Sequence, residues 1–587
     1  MAKKNLNLFW AEIIIEELIR NGIDYFCICP GSRSTPLVLA IAENAKAQSV
    51  TLIDERGAGF HALGYAKAAN KPAVIVTTSG TAVANLYPAV IEASQDHVPM
   101  IILSADRPLE LIDTAANQTI NQVNIFGQYT RYAFDFPTPT EDFPPEAVLS
   151  TVDQAVYQSR NNNPGPVHLN CRYRKPLEAP GATAKPTYMQ NITTWLNDNN
   201  PYTHYVNPIP TIDDSIIKIL ATDINRAKRP MILVGKINSD PDRKAALAII
   251  NKLNCTVYAD ITSGLRLTDC PTHIMRYFDQ ELLSAEFNTK TKPDLILHLG
   301  SRITSKRVNE YLDQNRPTHY ILIKDNPNRL DPIHIVTRYI QADLPVLTDN
   351  LVKQLKPKAN NYSRFFTQKA KAVDQLIADS INNEEILSEA FIARQISTDI
   401  PDHSNLFLSN SMPIRDMDLY SQSGLKKITV SANRGVSGID GIISSAIGFA
   451  QANKKTTTLI IGDLAFMHDI NALATLKKLN LPFVIVLINN GGGGIFHFLP
   501  VSKCDKDIFQ EHFAASHQFT FAGACNTFGI NHCQVSDKQG FINAYRKAIK
   551  KSSPTVIEAI TNRVANLKSR RDIKKKIINL LDKEINK

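Results

Sequence analysis

The chain has 587 residues, of which 43% are hydrophobic and 21% are charged, and its formal net charge is +9. This length predicts about three to four globular domains, and no apolar run is long enough to span a membrane. Residues 563–587 hold nine basic and three acidic side chains, so the remainder is nearly neutral. This distribution argues against a nucleic-acid enzyme. It predicts a solvated basic helix in the tail at 566–587, with attachment to an anionic membrane surface as the weaker alternative.

Residues 1–185 form a first α/β block. Trp10, Ile13, Ile14 and Leu18 recur at helical spacing and predict an opening helix. Apolar runs predict strands at 25–29, 49–54, 73–78, 100–104 and 167–171. A segment rich in Pro, Asn and Thr at 180–210 predicts a linker to the next block.

Two further blocks follow. Residues 205–360 carry predicted strands at 231–234, 256–260, 295–300 and 319–324, with helices between them. Residues 380–565 form the third block, in which apolar runs at 456–461 and 482–488 predict strands. The first and third blocks share an alternation of strands and helices with polar motifs at strand ends. We therefore expect two related sheet domains separated in sequence by a third.

The third block contains two polar motifs, Gly462-Asp463-Leu464 and Asn490-Gly491-Gly492, each directly after a predicted strand. Apolar residues at helical spacing between 470 and 479 predict a crossover helix. A right-handed strand–helix–strand unit brings both motifs to the carboxyl edge of a parallel sheet, where ligands of open α/β sheets bind.

The oxygen atoms of these motifs suit Mg²⁺, which prefers about six oxygen ligands and takes only some of them from protein. Asp463, the Asn490 side chain and the Gly492 carbonyl would supply three, and a diphosphate and a water would complete the set. Glycines at 491–494 let the backbone approach phosphates closely. Jointly, the two motifs resemble the signature of thiamine-diphosphate enzymes.

Glu55, in the first block, carries a carboxyl group that would have a chemical role beside such a cofactor. Glu55 follows the predicted strand 49–54. The resemblance implies that Glu55 hydrogen-bonds N1′ of the cofactor's aminopyrimidine and favours the tautomer that takes the proton from thiazolium C2. Residues 77–86 resemble the pyrimidine-binding loop of decarboxylases and carboligases. On its own, this loop would be read as a helix cap at Thr81.

Four more motifs narrow the resemblance: Pro30-Gly31-Ser32-Arg33-Ser34, Ala105-Asp106-Arg107-Pro108, Ala115-Ala116-Asn117-Gln118 and the run 431–441. They resemble the 2-succinyl-5-enolpyruvyl-6-hydroxy-3-cyclohexene-1-carboxylate (SEPHCHC) synthases, the MenD family of menaquinone biosynthesis. The resemblance implies an α/β fold of three doubly wound parallel-sheet domains. They would be a pyrimidine-binding domain at 1–185, a central domain of the transhydrogenase III type at 205–360, and a diphosphate- and Mg²⁺-binding domain at 380–565.

The family resemblance implies a transferase that decarboxylates 2-oxoglutarate and adds the resulting succinyl carbanion to isochorismate, giving SEPHCHC and CO₂. Its implied cofactors are thiamine diphosphate and Mg²⁺, with Mn²⁺ as an alternative ion. It also implies a homodimer or a dimer of dimers, in which the first domain of one subunit faces the third domain of its partner. Neither a nucleic-acid partner nor a transmembrane segment is expected.

The resemblance also assigns residues. The catalytic set is Glu55, Arg33, Arg107, Gln118, Arg415 and Arg434. The cofactor-binding set is Glu55, Ser79, Gly80, Thr81, Ile439, Gly462, Asp463, Leu464, Asn490, Gly492, Ile495 and Phe496. The substrate-binding set is Ser32, Arg33, Arg107, Asn117, Gln118, Lys306, Arg307, Ser411, Arg415, Arg434 and Leu499. The metal ligands are Asp463, Asn490 and Gly492.

The arginines of these sets suit the two substrates, which are both dicarboxylates, because guanidinium groups bind carboxylates through paired hydrogen bonds. The resemblance assigns Arg33, Arg107 and Arg307 chiefly to isochorismate. It assigns Arg415, Arg434 and Ser411 to the succinyl carboxylate. Without the family match, each arginine would be read as a surface cation. Ile439 would lie beneath the cofactor, and an apolar wall near the reacting carbon would consist of Ile495, Phe496 and Leu499.

Two alternatives remain open from the sequence. One is another thiamine-diphosphate-dependent 2-oxo acid decarboxylase or carboligase, such as an acetohydroxyacid synthase, which often binds a flavin in its middle domain. The middle block has only Val234-Gly235-Lys236 after its first strand, and no Gly-x-Gly-x-x-Gly run. The other is a non-catalytic binding protein built on the cofactor fold, against which Glu55 and the metal set argue.

Cysteine usage predicts a cytoplasmic protein. The eight cysteines, at positions 27, 29, 171, 255, 270, 504, 525 and 533, form no Cys-x-x-Cys pair. We expect buried free thiols, as in a reducing compartment. The first residues show no apolar core or cleavage site of a secretory signal.

Overall fold

A computed structural model describes residues 5–178, 184–268, 274–358, 361–422, 424 and 426–585. The chain divides into two compact units. The first unit comprises Met1–Pro208, Asn433–Lys454 and Ala474–Leu476. The second unit comprises Ile209–Ala432, Lys455–Leu473 and Lys477–Lys587.

The first unit is built on one parallel sheet of six strands in the order β2-β1-β3-β4-β6-β5. The strands are β1 (Tyr25–Ile28), β2 (Gln48–Thr51), β3 (Ala73–Thr77), β4 (Met100–Asp106), β5 (Tyr132–Phe136) and β6 (Pro166–Arg172). Its helices include α1 (Leu6–Arg20), α2 (Thr35–Glu43), α3 (Glu55–Ala69), α4 (Thr81–Ala84), α5 (Tyr87–Asp96), α6 (Pro145–Arg160) and α7 (Thr193–Asn197). The predicted opening helix is confirmed. Asn5 caps it by accepting a hydrogen bond from the backbone N–H of Leu8, and Trp10 and Ile14 are buried.

The second unit contains two parallel six-stranded sheets, ordered β12-β11-β10-β7-β8-β9 and β14-β13-β15-β16-β18-β17. The strands of the first of these are β7 (Pro230–Val234), β8 (Thr256–Ala259), β9 (Ile274–Met275), β10 (Leu295–Leu299), β11 (His319–Lys324) and β12 (Arg338–Gln341). The strands of the second are β13 (Asn405–Leu408), β14 (Thr429–Ala432), β15 (Thr457–Gly462), β16 (Phe483–Asn489), β17 (Asn531–Val535) and β18 (Thr555–Ile560).

The remaining helices lie between and after these strands. They are α8 (Asp214–Arg226), α9 (Asp240–Leu253), α10 (Phe278–Glu281), α11 (Ala285–Lys290), α12 (Lys306–Gln314), α13 (Leu344–Gln354), α14 (Asn361–Asn382), α15 (Glu389–Asp399), α16 (Met412–Tyr420), α17 (Ile442–Asn453), α18 (Asp463–His468), α19 (Leu473–Leu476), α20 (Lys506–Ile508), α21 (Ala522–Thr527), α22 (Lys538–Ala548) and α23 (Arg563–Ile585). Short 3₁₀ segments occupy Leu109–Leu111, Gly127–Tyr129, Gln190–Ile192, Ile261–Ser263, Ile470–Ala472, Gly494–Phe498 and Pro500–Lys503, and Phe509–Phe513 is a short π-helix. The crossover predicted between 470 and 479 is therefore a series of short helical pieces.

The strand orders support the predicted kinship of the outer blocks. If strands are numbered within each sheet, the first and third sheets both read 2-1-3-4-6-5. The middle sheet reads 3-2-1-4-5-6, the order of dinucleotide-binding domains. The α/β class with three parallel sheets is confirmed.

Two sequence predictions differ from the structure. One concerns the solvation of the C-terminal helix, and the other concerns the burial of the cysteines. Helix α23 is not a solvated tail, because Ile573, Ile577 and Leu581 belong to the core of the second unit and are at most 2% exposed. The thiols of the described residues are free, but Cys504 is exposed and Cys533 is half-buried rather than buried. Cys270 lies outside the described residues.

Within the first unit, α17 packs closely against α3. A Cβ atom on Gly64 would lie 1.9 Å from the carbonyl oxygen of Ser445, and one on Gly448 would lie 2.0 Å from that of His61. Only glycine fits at both positions, so the two helices approach each other through bare backbone.

Among the described residues, no helix is both long enough and apolar enough to cross a membrane.

Candidate functional site

The Asp463 carboxylate lies at the carboxyl end of β15, where it opens α18 and is only 2% exposed. Its Oδ2 accepts hydrogen bonds from the backbone N–H groups of Asn490 (3.1 Å) and Gly492 (2.9 Å). Its Oδ1 accepts one from Leu464 (2.7 Å). Burial raises the pKa of Asp463, and the hydrogen bond from Gly492 opposes that shift. The three predicted metal ligands, Asp463, Asn490 and Gly492, thus lie together, and we call them the metal cluster.

The side-chain amide of Asn490 has a defined orientation. Its Nδ2 donates a hydrogen bond to Oε1 of Glu389 at 2.8 Å. Its Oδ1 is buried and has no hydrogen-bond partner. A buried acceptor without a partner is costly in a native protein unless a ligand or ion completes it. The amide oxygen therefore suits a metal ligand.

The glycine loop after β16 places a backbone turn beside these groups. Gly492 has φ +140, and a Cβ atom there would lie 2.4 Å from the carbonyl oxygen of Ala514. A side chain at this position would therefore clash with the neighbouring segment. The predicted apolar wall starts in the following 3₁₀ segment with Ile495 and Phe496, which are half-buried, and continues with Leu499, which is 44% exposed.

Two basic side chains near Asp463 were not predicted from the sequence. Nε2 of His517 lies 3.4 Å from Oδ2 of Asp463. Arg563 is also close enough for Asp463 to raise its pKa, although burial has the larger, opposite effect. Neither residue lies in a recognisable motif, so no local signal could have identified them.

Among the described residues, no group of three or more His, Cys, Asp or Glu side chains could hold a metal ion. The metal cluster instead combines one carboxylate, one amide oxygen and one backbone carbonyl. This donor set suits a hard cation that keeps several non-protein oxygen ligands.

A second group of predicted residues lies at the carboxyl edge of the sheet in the first unit. Ser79 and Gly80 follow β3, and Gly80 has φ +84. The hydroxyl of Ser79 donates to the carbonyl oxygen of Gln118, and Nε2 of Gln118 donates back to the carbonyl oxygen of Ser79, both at 3.0 Å. Thr81 begins α4 and is exposed. Neighbouring strand ends thus bring the predicted pyrimidine-binding loop next to Gln118.

Glu55 occupies a different element from the one expected. The strand ends at Thr51, and Glu55 is the first residue of α3, capped by Asp54, whose carboxylate accepts a hydrogen bond from Arg56. Glu55 is half-buried. Burial raises the pKa of Cys29, and the charge of Glu55 adds to that shift.

Arg33 and Arg107 lie at the same edge. Arg33 is 5% exposed and donates to the carbonyl oxygen of Tyr173 at 2.7 Å. Burial, together with the charge of Arg107, lowers the pKa of Arg33. Arg107 is half-buried and donates to the carbonyl oxygen of Asn117 at 2.8 Å. Two guanidinium groups within electrostatic reach of each other favour an anionic ligand. Ser32 is exposed on the loop after β1.

Arg434 and Ile439, both half-buried, lie on a segment of the first unit that Glu92 holds in place. The two carboxylate oxygens of Glu92 accept hydrogen bonds from the backbone N–H groups of Gly435 (2.6 Å) and Val436 (2.7 Å). Sequence analysis missed Glu92 because it lies on α5, far from this segment in the chain.

Three predicted substrate-binding cations line one cavity of about 230 Å³ in the second unit: Lys306, Arg307 and Arg415. The same cavity contains acidic groups. Arg307 is paired with Asp279, and Nζ of Lys306 lies 3.2 Å from Glu310. Arg415 donates to the carbonyl of Ser411, a residue held at φ +67. Such strained conformations occur preferentially at functional sites.

Comparison with known proteins identifies the family. Residues 10–125 match the model of the thiamine pyrophosphate enzyme N-terminal TPP binding domain. Residues 186–408 match the middle domain of thiamine pyrophosphate enzymes, and residues 423–559 match their C-terminal TPP binding domain.

The curated relatives match from end to end. A 2-succinyl-5-enolpyruvyl-6-hydroxy-3-cyclohexene-1-carboxylate synthase of Chlorobaculum parvum is 40% identical over 585 residues, 99% of both chains. The synthase of the same name from Prosthecochloris aestuarii is 39% identical over 588 residues, 100% of both chains. That from Pelodictyon phaeoclathratiforme is 40% identical over 98% of this chain and 97% of its own. The chain belongs to the SEPHCHC synthase family of thiamine-diphosphate enzymes.

Proposed function

We propose that this protein is a SEPHCHC synthase of menaquinone biosynthesis, a transferase that decarboxylates 2-oxoglutarate and joins the remaining succinyl unit to isochorismate with release of CO₂. The observation that carries the proposal is the metal cluster, with its buried, unpartnered Asn490 oxygen, in a chain that aligns end to end with synthases of that name.

The metal cluster would hold Mg²⁺, or Mn²⁺ in its place, through Asp463, Asn490 and the carbonyl of Gly492. The unpartnered Asn490 oxygen and the exclusion of any side chain at Gly492 both fit a metal bound to a diphosphate. When bound, thiamine diphosphate supplies the electron sink for decarboxylation. Glu55, at the start of α3, would exchange a proton with N1′ of the aminopyrimidine.

The protein's other contribution is to bind and orient two dicarboxylates. Arg33 and Arg107, assisted by Ser32, Asn117 and Gln118, would bind chiefly isochorismate, together with Lys306 and Arg307. Arg415, Arg434 and Ser411 would bind the succinyl carboxylate. The burial of Arg33 and the effect of the Arg107 charge on its pKa support an anion site in the first unit.

The flavin-binding alternative is disfavoured by the middle sheet. A dinucleotide would enter where the strand order reverses, between the loops after β7 and β10. These loops are hydrogen-bonded to each other, since Lys236 N–H donates to the Arg302 carbonyl oxygen and Ser301 N–H donates to that of Lys236, both at 3.0 Å. A Cβ atom on Gly235 would lie 1.9 Å from the Ser301 carbonyl oxygen. Close packing of the two loops argues against a ligand between them.

We further infer a homodimer, or a dimer of dimers, as the working assembly and a cytoplasmic location. The family resemblance supports the first inference. The free thiols of the described residues support the second.

The decisive experiment mixes purified protein, thiamine diphosphate and Mg²⁺ with 2-oxoglutarate and isochorismate, and follows CO₂ and SEPHCHC together. We expect both products, in equal amounts, only when both substrates are present. In a parallel mixture with pyruvate in place of both substrates, CO₂ and an acetohydroxyacid would instead favour the alternative carboligase.

A further inference from the structure

Glu389 is placed to determine which end of the Asn490 amide faces the metal cluster. A side-chain amide can turn over and exchange its oxygen and nitrogen, but an ionised carboxylate only accepts hydrogen bonds. Because Oε1 of Glu389 lies 2.8 Å from the amide nitrogen, the reversed amide would set oxygen against oxygen. The carboxylate therefore keeps Oδ1 of Asn490 directed away from it, where that atom has no partner in the protein.

Glu389 is itself fixed by helix α23. Its backbone N–H donates to Oδ1 of Asn566 at 2.9 Å, and its Oε2 lies 3.1 Å from Nη2 of Arg570. Arg570 also pairs with Asp416 and lies over the rings of Tyr420 and Phe498. Glu389 is 5% exposed and Arg570 is 8% exposed, so neither side chain is free to move into solvent.

The charges in this network fix the position of the Glu389 carboxylate. One guanidinium faces two buried carboxylates, those of Glu389 and Asp416. Burial of the guanidinium lowers the pKa of Arg570, but Asp416, Tyr420 and Glu389 together outweigh this effect and raise the pKa. Asp416 alone would be enough for a purely structural ion pair with Arg570. Glu389 is a second acid, and its other carboxylate oxygen, Oε1, accepts the hydrogen bond from Asn490.

We propose that Glu389 is a positioning residue for the metal, and that α23, through Arg570, holds it in place. This inference rests on the proposed function of the metal cluster. It makes the basic C-terminal helix part of the support of the cofactor site. Removal of a residue that orients a metal ligand in this way typically lowers metal affinity by ~10–100-fold.

The test is the affinity for Mn²⁺, measured by electron paramagnetic resonance with thiamine diphosphate present and no substrate. Glu389→Gln lets the Asn490 amide adopt either orientation, and Asp416 remains to pair with Arg570. Glu389→Asp keeps the charge but withdraws the carboxylate by one methylene from the amide. We expect both variants to bind Mn²⁺ ~10–100-fold more weakly and to keep the circular-dichroism spectrum of the parent protein.

Arg394→Gln is the matched control, because Arg394 forms a similar ion pair with Asp374 (2.8 Å) in the same unit. It should lower the melting temperature and leave Mn²⁺ affinity unchanged. Parent-like Mn²⁺ affinity in both Glu389 variants would overturn the positioning role. If Asp463→Ala, measured in parallel, also kept parent-like affinity, the metal cluster itself would be wrong.

Discussion

The carboxylate of Asp463 accepts a hydrogen bond from the backbone N–H of Gly492 at 2.9 Å. The end of β15 is thereby tied to the glycine loop that follows β16. The loop's shape consequently depends on the same carboxylate that is proposed to bind the metal.

We therefore expect Asp463→Ala to abolish thiamine-diphosphate binding while the sheets remain folded, since Asp463 lies at a strand end outside the apolar cores. Calorimetric titration with Mg²⁺ and the cofactor measures the loss. Asp463→Asn tests the charge alone, because it keeps the shape of the side chain. Asp505→Ala, at the exposed start of α20, is the control. Unchanged cofactor affinity in Asp463→Ala would remove this residue from the metal site.

Glu55→Gln should keep cofactor and substrate binding but slow exchange of the C2 proton of the cofactor by ~10²–10⁴-fold. The amide matches the carboxyl group in shape but cannot exchange a proton with the pyrimidine. Proton exchange followed by nuclear magnetic resonance is the measurement, with Glu43→Gln on α2 as the control. Exchange at the parent rate would exclude Glu55 from activation.

Arg415→Ala should raise the KM for 2-oxoglutarate far more than the KM for isochorismate, by roughly 10- to 150-fold, because one charged hydrogen-bonding partner is worth ~1.5–3 kcal/mol. Arg107→Ala should show the opposite preference. Steady-state kinetics with each substrate varied in turn distinguish the two. Equal effects on both substrates in either variant would contradict the proposed division of the arginines.

Mixing subunits tests whether the active site is shared. Glu55→Gln and Asp463→Ala chains, each inactive alone, are refolded together in equal amounts. If two chains share each site, half of the dimers are mixed, and each of these holds one intact site, so activity returns to roughly a quarter of the parent value. A mixture that stays inactive would mean that each site lies within one chain.

The first unit should lose stability as the pH falls from about 6.5 to about 4. Burial lowers the pKa of His61 from 6.5 to about 4, and its Nε2 lies 2.8 Å from the hydroxyl of Tyr25. The neutral ring therefore contributes stability above pH 6.5 that is lost on acidification, with a slope of up to ~1.4 kcal/mol per pH unit.

His61→Gln should accordingly reduce the fall in melting temperature between pH 6.5 and pH 4.5, measured by differential scanning calorimetry. His403→Gln, at a side chain that is 64% exposed, should leave that fall unchanged. An identical pH dependence in His61→Gln and the parent would show that His61 does not titrate as proposed.

Central strands could be predicted from the sequence because both of their faces are buried. Strands β7, β10 and β16 are buried along their whole length and read as nearly continuous apolar runs. The edge strands β5, β12 and β17 are half-exposed and give no such run. They could be located only through their pairing with neighbours.

Some residues of the candidate site could likewise be predicted from the sequence, and others could not. Asp463 and Asn490 could be predicted because each follows a strong strand and carries an oxygen ligand. Glu389 could not, because the local sequence shows only a serine-capped helix start, and its partner Asn490 lies 101 residues further along the chain. The apolar stripe of α23 is visible in the sequence among the lysines, but its burial could not be predicted, because it depends on the rest of the second unit.

The packing of α17 on α3 bears on the order in which the protein assembles during synthesis. The glycine-lined surface of α3 leaves the ribosome several hundred residues before the helix that covers it. Contacts between such distant segments form slowly, because a long loop must close first. Nascent chains would thus present an uncovered surface for much of translation, the condition under which large proteins depend on chaperones. A circular permutant that begins shortly before α17 and joins the original termini would place α17 ahead of α3 in synthesis and shorten that interval.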